Sequence, residues 1–276
     1  MERAPQDPLD DPVEGKPVEG KPFEGKPFEA QRIDLALVTR GHFASRARAR
    51  EAIEAGLVRL DGRVVRKPSE TATPASRIEA QAPHPWVSRA GLKLVAGLDA
   101  FGVDPAGAAC LDLGASTGGF TQVLLARGAA QVAAVDVGHG QLHASLRADP
   151  RVRSMEGVDA RALERGHFSA PPSIVVCDVS FISLKLVLPH ALALAAPGAR
   201  LVALVKPQFE AGRAFVKNGI VRDAQVHARV CDEIVALVRG LGWRVLGVAP
   251  SPIEGGDGNR EFLLGARIDA PHEEGR

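Results

Sequence analysis

Leu111-Asp112-Leu113-Gly114-Ala115-Ser116-Thr117-Gly118-Gly119-Phe120 carries an apolar run into an acidic residue, a Gly-rich turn and the start of a helix. About twenty residues later a second apolar run, Val132 to Val135, ends in Asp136, the spacing of two adjacent parallel strands with a nucleotide-like ligand across their ends. Glycines let backbone approach such a ligand, and the second acidic end can take ribose hydroxyls. The glycines fall as G-x-x-x-G-G and not as G-x-G-x-x-G. An adenosyl ligand without a pyrophosphate, such as S-adenosylmethionine, therefore fits better than NAD.

Working outward, strand and helix patterns alternate from residue 89 onward, which argues for a parallel sheet covered on both faces. Strands are expected at 109–113, 131–137, 152–155, 173–177 and 200–205, with helices over 184–195 and 224–241. A final pair, 243–248 and 262–268, closes the sheet, its second member antiparallel. Seven strands with a reversed last one predict a Rossmann-like methyltransferase domain over 89–268 and not a dehydrogenase.

Net charge is only +1, but it is unevenly spread. Residues 32–77 hold ten Lys/Arg against five Asp/Glu, whereas residues 1–31 hold four against eight. A basic surplus confined to one small segment is the footprint of a nucleic-acid-binding module. Cys110, Cys177 and Cys231 lack C-x-x-C or C-x-x-H spacing, so neither zinc nor a disulfide framework is indicated, and no metal is expected. Cys110 and Cys177 sit in strand-like runs and read as buried, inert thiols. No secretory signal and no run of roughly 18 apolar residues is visible, so the expected setting is cytoplasmic, with no membrane partner.

The segment 1–31 repeats Val13-Glu14-Gly15-Lys16-Pro17 as Val18 to Pro22 and Phe23 to Pro27, a composition that predicts a disordered tail. Residues 32–79 read as two short helices and a hairpin. Ile33, Leu35, Leu37 and Val38 form the apolar side of the first helix. Ser45 caps the second, Arg46 to Ala55, and Asp61-Gly62 turns the hairpin. Arg46 and Arg50 share a helix face, with Arg48 on another. Residues 80–88 are expected to be a proline-stiffened linker in which Trp86 packs the domains together and His84 is solvated. A short tail, 269–276, ends the chain.

In a sheet of this kind the active site lies beyond the carboxyl ends of the strands. Asp178 and Lys206 end strands, Glu261 opens the last one, and Lys93 lies in the helix before the first. Singly, each would be an ordinary surface ion pair, as expected of Lys185 and Lys217. Together they converge on one cleft. His139 and His143 read as surface residues at a helix start.

Two resemblances sharpen this reading. Arg32-Ile33-Asp34, Ser45-Arg46, Ala52-Ile53 through Gly56-Leu57-Val58, Leu60-Asp61-Gly62 and Lys67-Pro68 resemble an S4 domain, a small α+β RNA-binding module. That implies RNA contacts through Arg32, Arg46, Arg48, Arg50 and Arg63, which position structured RNA by phosphate and shape. Ser88-Arg89-Ala90-Gly91-Leu92-Lys93-Leu94, the Asp112–Phe120 turn, Asp136-Val137-Gly138 through Gly140-Gln141-Leu142, Asp178-Val179-Ser180-Phe181-Ile182-Ser183, Val205-Lys206-Pro207-Gln208-Phe209-Glu210 and Gly258-Asn259-Arg260-Glu261-Phe262 are similar to the TlyA family. Its members join an S4 domain to an FtsJ-like methyltransferase domain and also carry a hemolysin label.

The resemblance implies methyl transfer from S-adenosylmethionine to a ribose 2′-hydroxyl of ribosomal RNA, typically on cytidine, by a tetrad carried over onto Lys93, Asp178, Lys206 and Glu261. Such a transfer needs in-line positioning and removal of one proton, and no metal. Lys206 is expected to be the base and Lys93 the second cation, with Asp178 orienting Lys206 or the hydroxyl and Glu261 holding a lysine in place. A protonated Lys206 stabilising the oxyanion is the open alternative. For the cofactor, Asp112, Gly114, Ser116, Gly118 and Phe120 would shape the methionine side, Asp136 would hold the ribose, and Asp159 the adenine, unless Asp159 is a simple turn residue. Three rivals remain: a base N-methyltransferase, against which the proline-free Asp178-Val179-Ser180-Phe181 speaks; a cytolysin; and an RNA-binding assembly factor with an inactive domain. Oligomeric state and target nucleotide are not encoded legibly.

Overall fold

The computed structural model describes residues 29–270. The repeats of residues 1–28 and the last residues, 271–276, for which tails are expected, lie outside the described residues. The described chain divides into two compact units after Pro85.

The first unit contains β1 (Gln31–Arg32), α1 (Ile33–Thr39), α2 (Arg46–Glu54), β2 (Val58–Leu60), β3 (Arg63–Val64), β4 (Thr71–Ala72) and β5 (Ile78–Ala80). The hairpin forms as expected: Asp61 and Gly62 both take positive φ, as a two-residue hairpin turn requires. Ser45 caps α2 by accepting from the Arg48 backbone N–H. Ile33, Ala36, Leu37, Ala49, Ile53, Val58 and Leu60 form the core.

Three sequence expectations fail here. The buried face of α1 is Ile33, Asp34, Ala36 and Leu37, whereas Leu35 is exposed, because α1 turns its acidic residue inward to meet α2. The linker is shorter than 80–88, since Ala80 pairs with Val58 in the β3-β2-β5 sheet. His84 is buried, its ring between Arg48 and Glu51.

The second unit begins at Trp86, whose ring sits so close to Gly91 that an added Cβ would meet it at 2.5 Å. It runs α3 (Ala90–Phe101), β6 (Ala109–Leu113), α4 (Gly119–Ala126), β7 (Gln131–Asp136), α5 (Ala144–Arg147), β8 (Val152–Glu156), β9 (Ile174–Cys177), α6 (Leu184–Leu192), β10 (Arg200–Val205), α7 (Pro207–Glu210), α8 (Ala224–Gly240), β11 (Arg244–Pro250) and β12 (Phe262–Arg267). Seven strands form one sheet in the order β11-β12-β10-β9-β6-β7-β8. Only β12 is reversed, pairing antiparallel with both β10 and β11.

Successive residues of a strand face opposite sides, so a sheet with two buried faces needs continuous apolar runs. Leu111, Val175, Leu201 and Ala203 pack on one side with α6 and α8; Cys110, Val176, Val202 and Leu204 pack on the other with α3 and α4. Full burial of each such leucine contributes about 1.5–3 kcal/mol. The three cysteines are buried and free, and burial pushes the thiols of Cys110 and Cys177 up to about 12 and that of Cys231 up to about 11.

Candidate active site

The parallel strands β6, β9 and β10 end side by side, and the reversed strand begins where they end. In the β10–β12 register Phe262 faces Val205, so Lys206 and Glu261 meet at the same edge. The helix α3 brings Lys93 there from before the sheet. Lys93 Nζ donates to Glu261 Oε2 at 2.5 Å, and both side chains are almost entirely buried. Lys206 Nζ lies 2.7 Å from Asp178 Oδ1, in ion-pair contact without hydrogen-bond geometry, and donates to Ser180 Oγ at 2.8 Å. All four charged residues line one cleft of about 350 Å³, together with Gly114, Ser116, Phe120, Ser180, Phe181 and Phe209.

The turn that opens this cleft is tight. Gly114 has φ +79°, and a Cβ there would approach the Asp178 carbonyl oxygen to 2.6 Å, so only glycine lets the two strand ends lie together. Ser116 is held at φ +47° because its N–H donates to Asp136 Oδ2 at 2.8 Å, while Gly138 N–H donates to Asp136 Oδ1 at the same distance. Each Asp136 oxygen keeps a lone pair for a further donor.

The sequence-derived residues do not all meet. Lys93, Asp178, Lys206, Glu261, Gly114, Ser116 and Phe120 line the cleft; Asp112, Gly118, Asp136 and Asp159 do not. Asp159 caps a short 3₁₀ turn and is ion-paired to Arg161 at 2.6 Å, which holds its carboxyl down at about 2. Its geometry is that of a turn aspartate. Gly118 sits under Leu142 and Leu146.

Asp112 is fully buried in β6 and accepts from Thr121 Oγ1 at 2.6 Å, with Oδ1 left without a partner. Burial raises its carboxyl to about 7 despite that bond. A carboxyl raised in the folded state favours folding fully only below its unfolded value near ~3.9, and that contribution disappears as pH rises towards 7. Asp112→Asn is therefore expected to melt at a temperature that varies less between pH 5 and pH 8 than the unsubstituted chain. Equal pH slopes in calorimetry would remove Asp112 as the source.

Several residues escaped the sequence reading. Ser180 anchors Lys206, and Glu210 accepts from Ser183 Oγ and the Leu184 N–H, tying the loops after β9 and β10 together. Phe181 is 91% exposed at φ +64°, with Phe209 beside it at a 5.2 Å ring separation. An exposed aromatic held in left-handed backbone next to buried charges is the pattern of a ligand contact. Its sequence signal is its place in the Asp178-Val179-Ser180-Phe181-Ile182-Ser183 motif, three residues after Asp178. His143 accepts from Ser145 N–H as the cap of α5, and Lys185 is in a surface ion pair with Glu233, both as expected.

In the first unit, Arg32, Arg46 and Arg50 converge on Asp34. Burial pushes that carboxyl up, but the three guanidinium bonds overcome it and hold it well below the usual carboxylate range. Arg48 is turned away, with its side chain 16% exposed beside Glu51 and His84, and Arg63 stands on the exposed face of the hairpin. Among the described residues no group of His, Cys, Asp and Glu could hold a metal ion, and no helix is long and apolar enough to cross a membrane.

A seven-stranded sheet with one reversed strand, a Gly-rich first turn and a two-lysine, two-carboxylate cleft defines a class I methyltransferase domain, here following a small basic module. The family models agree: an FtsJ-like methyltransferase matches residues 86–268 and an S4 domain matches residues 31–78. The chain belongs to the TlyA family. It is 47% identical over 239 residues to the 16S/23S rRNA (cytidine-2′-O)-methyltransferase TlyA of Mycobacterium tuberculosis, covering 86% of this chain and 89% of that one. It is 38% identical to Hemolysin A of Brachyspira hyodysenteriae, over 84% and 98% of the two chains. A solved structure of a candidate hemolysin from Streptococcus thermophilus superposes with a TM-score of 0.71 at 42% identity, covering 88% and 90%.

Proposed function

We propose that this chain is a methyltransferase that moves a methyl group from S-adenosylmethionine to a ribose 2′-hydroxyl of cytidine in ribosomal RNA. The observation that carries the reading is the pairing of Lys206 with Asp178 and of Lys93 with Glu261 in one cleft at the strand ends. The residues present suit the donor: a cleft of about 350 Å³, lined by Gly114, Ser116 and Phe120, opens beside a turn only glycine permits, and Asp136, outside that lining, fixes Ser116 from behind. Bound there, S-adenosylmethionine supplies a carbon already activated for displacement.

The protein's own part is to hold the acceptor and move one proton. Lys93 is bound tightly to Glu261, away from solvent, and acts as a fixed positive charge beside the oxygen that becomes anionic. Lys206 is held by Ser180 and Asp178, and in its unprotonated form it accepts the 2′-hydroxyl proton as the ribose oxygen attacks. Asp178 then balances the ammonium. Arg32, Arg46, Arg50 and Arg63 bind RNA phosphates, and the work is done where ribosomes are, in the cytoplasm.

The test is transfer of labelled methyl to purified small and large ribosomal subunits, followed by nuclease mapping. A nuclease-resistant labelled dinucleotide is expected; label recovered only on a base would reject the reading. Phe181, exposed at the cleft, offers a stacking face to the acceptor nucleoside, so Phe181→Ala is expected to weaken substrate use by about 1–3 kcal/mol while S-adenosylmethionine affinity stays the same. Unaltered kcat/KM in that variant would assign Phe181 no contact.

A further inference from the structure

We propose that Asp34 is a positioning residue that organises Arg32, Arg46 and Arg50 into a preformed cradle for RNA phosphodiesters. This rests on the RNA-binding reading of the first unit and deepens it. The Asp34 side chain is completely buried, yet three guanidiniums reach it: Arg32 Nε at 3.0 Å, Arg46 Nη2 at 2.8 Å and Arg50 Nε at 3.1 Å. The three arginine side chains are 49%, 48% and 47% exposed, so each is fixed at its inner edge and open at its outer one.

The stoichiometry argues against a merely structural bridge. One guanidinium neutralises one carboxylate. The second and third add like-charge repulsion at close range, which a fold selected for stability alone would avoid. The surplus positive charge is relieved when an anion binds on the exposed side. The geometry also suits that anion. Arg32 and Arg46 bond Asp34 through Nε and Nη2, and Arg50 through Nε, which leaves Nη1 of the first two and both Nη groups of the third with no bond to Asp34. Planar forks held at one edge lose little freedom on meeting a phosphate. They come from two different places, the start of α1 and successive turns of α2, and only the buried carboxylate aligns them.

The decisive variant reverses the sign expected from charge. Asp34→Asn removes a negative charge from an RNA-facing surface, so Coulomb attraction alone would tighten binding. If Asp34 positions the arginines, binding weakens instead, by roughly tenfold, and the dependence of log affinity on log salt becomes shallower by about two. The measurement is fluorescence anisotropy of the labelled full chain with purified 30S and 50S ribosomal subunits across a salt series, with thermal melting recorded alongside.

Should Asp34→Asn fail to fold, Arg46→Lys/Arg50→Lys keeps both charge and carboxylate but removes the forks. It is expected to bind several-fold more weakly, and equal affinity would overturn the proposal. Arg46→Glu/Arg50→Glu separates the two levels of the argument. Loss of binding there, with wild-type or tighter binding by Asp34→Asn, overturns only the positioning role. No change on charge reversal overturns the RNA-binding reading of this surface and the proposal with it.

Discussion

Lys206→Ala is expected to slow methyl transfer by about 10²–10⁴-fold, the range associated with a positioned general base, while RNA affinity stays close to that of the unsubstituted chain. The Nζ group lies within the cleft, 2.8 Å from Ser180 and 2.7 Å from Asp178, whereas the proposed RNA contacts are the arginines of the other unit. Single-turnover transfer with saturating subunits isolates the chemical step. Lys206→Arg separates the two possible roles. A guanidinium keeps a positive charge but does not accept a proton near neutral pH. Continued loss in that variant supports proton transfer, whereas recovery to within about tenfold would assign Lys206 to charge stabilisation. Wild-type rates in Lys206→Ala would take the residue out of the mechanism.

The second large effect is on stability. The side chains of Lys93 and Glu261 are only 7% and 3% exposed, so removing either leaves a buried charge without its partner. Such a loss costs about 3–5 kcal/mol, whereas replacing both by apolar residues of similar size is often close to neutral. Lys93→Met and Glu261→Leu are therefore each expected to lower the free energy of unfolding by about that amount, and the double variant to recover most of it. All three are expected to be inactive. Urea titration gives the stabilities and the labelled-methyl assay gives the activities. A double variant as unstable as the sum of the singles would mean that the pair is not coupled. A stable and active Lys93→Met would remove Lys93 from the site.

Much of the methyltransferase unit was legible in the linear chain. Apolar runs of strand length, each ending in a charged or glycine-rich turn, lay between amphipathic helices, and every predicted strand of the sheet is present. A strand buried on both faces has little freedom of composition, so its signal is strong. The small unit was less legible. Strands of two or three residues, such as β1, β4 and β5, carry no readable periodicity. The burial of Asp34 carried no sequence signal, and His84 read as part of a solvated linker, because burial of a polar group depends on partners far away in the chain.

The four charged residues show where local pattern stops. Each was identifiable as the end or neighbour of an element, and the Gly114 turn was readable as an approach of backbone to a ligand, though not as the contact with Asp178 that it also makes. Their convergence on one cleft and a carboxylate holding a lysine were expected; that Glu261 takes Lys93 and that Ser180 joins Asp178 on Lys206 was not. Lys93 meets Glu261 across 168 positions and Lys206 meets Ser180 across 26, distances over which no periodicity operates. The antiparallel insertion of β12 beside β10 turns the start of the last strand towards the ends of the others, and the helix before the sheet brings in the remaining lysine. Sequence patterning could set each strand and helix because those depend on neighbours one to four residues apart. Which carboxylate met Lys93, which aspartate faced a core and which aromatic stood in solvent depended on how the layers closed, since burial and electrostatic pairing are properties of the packed arrangement.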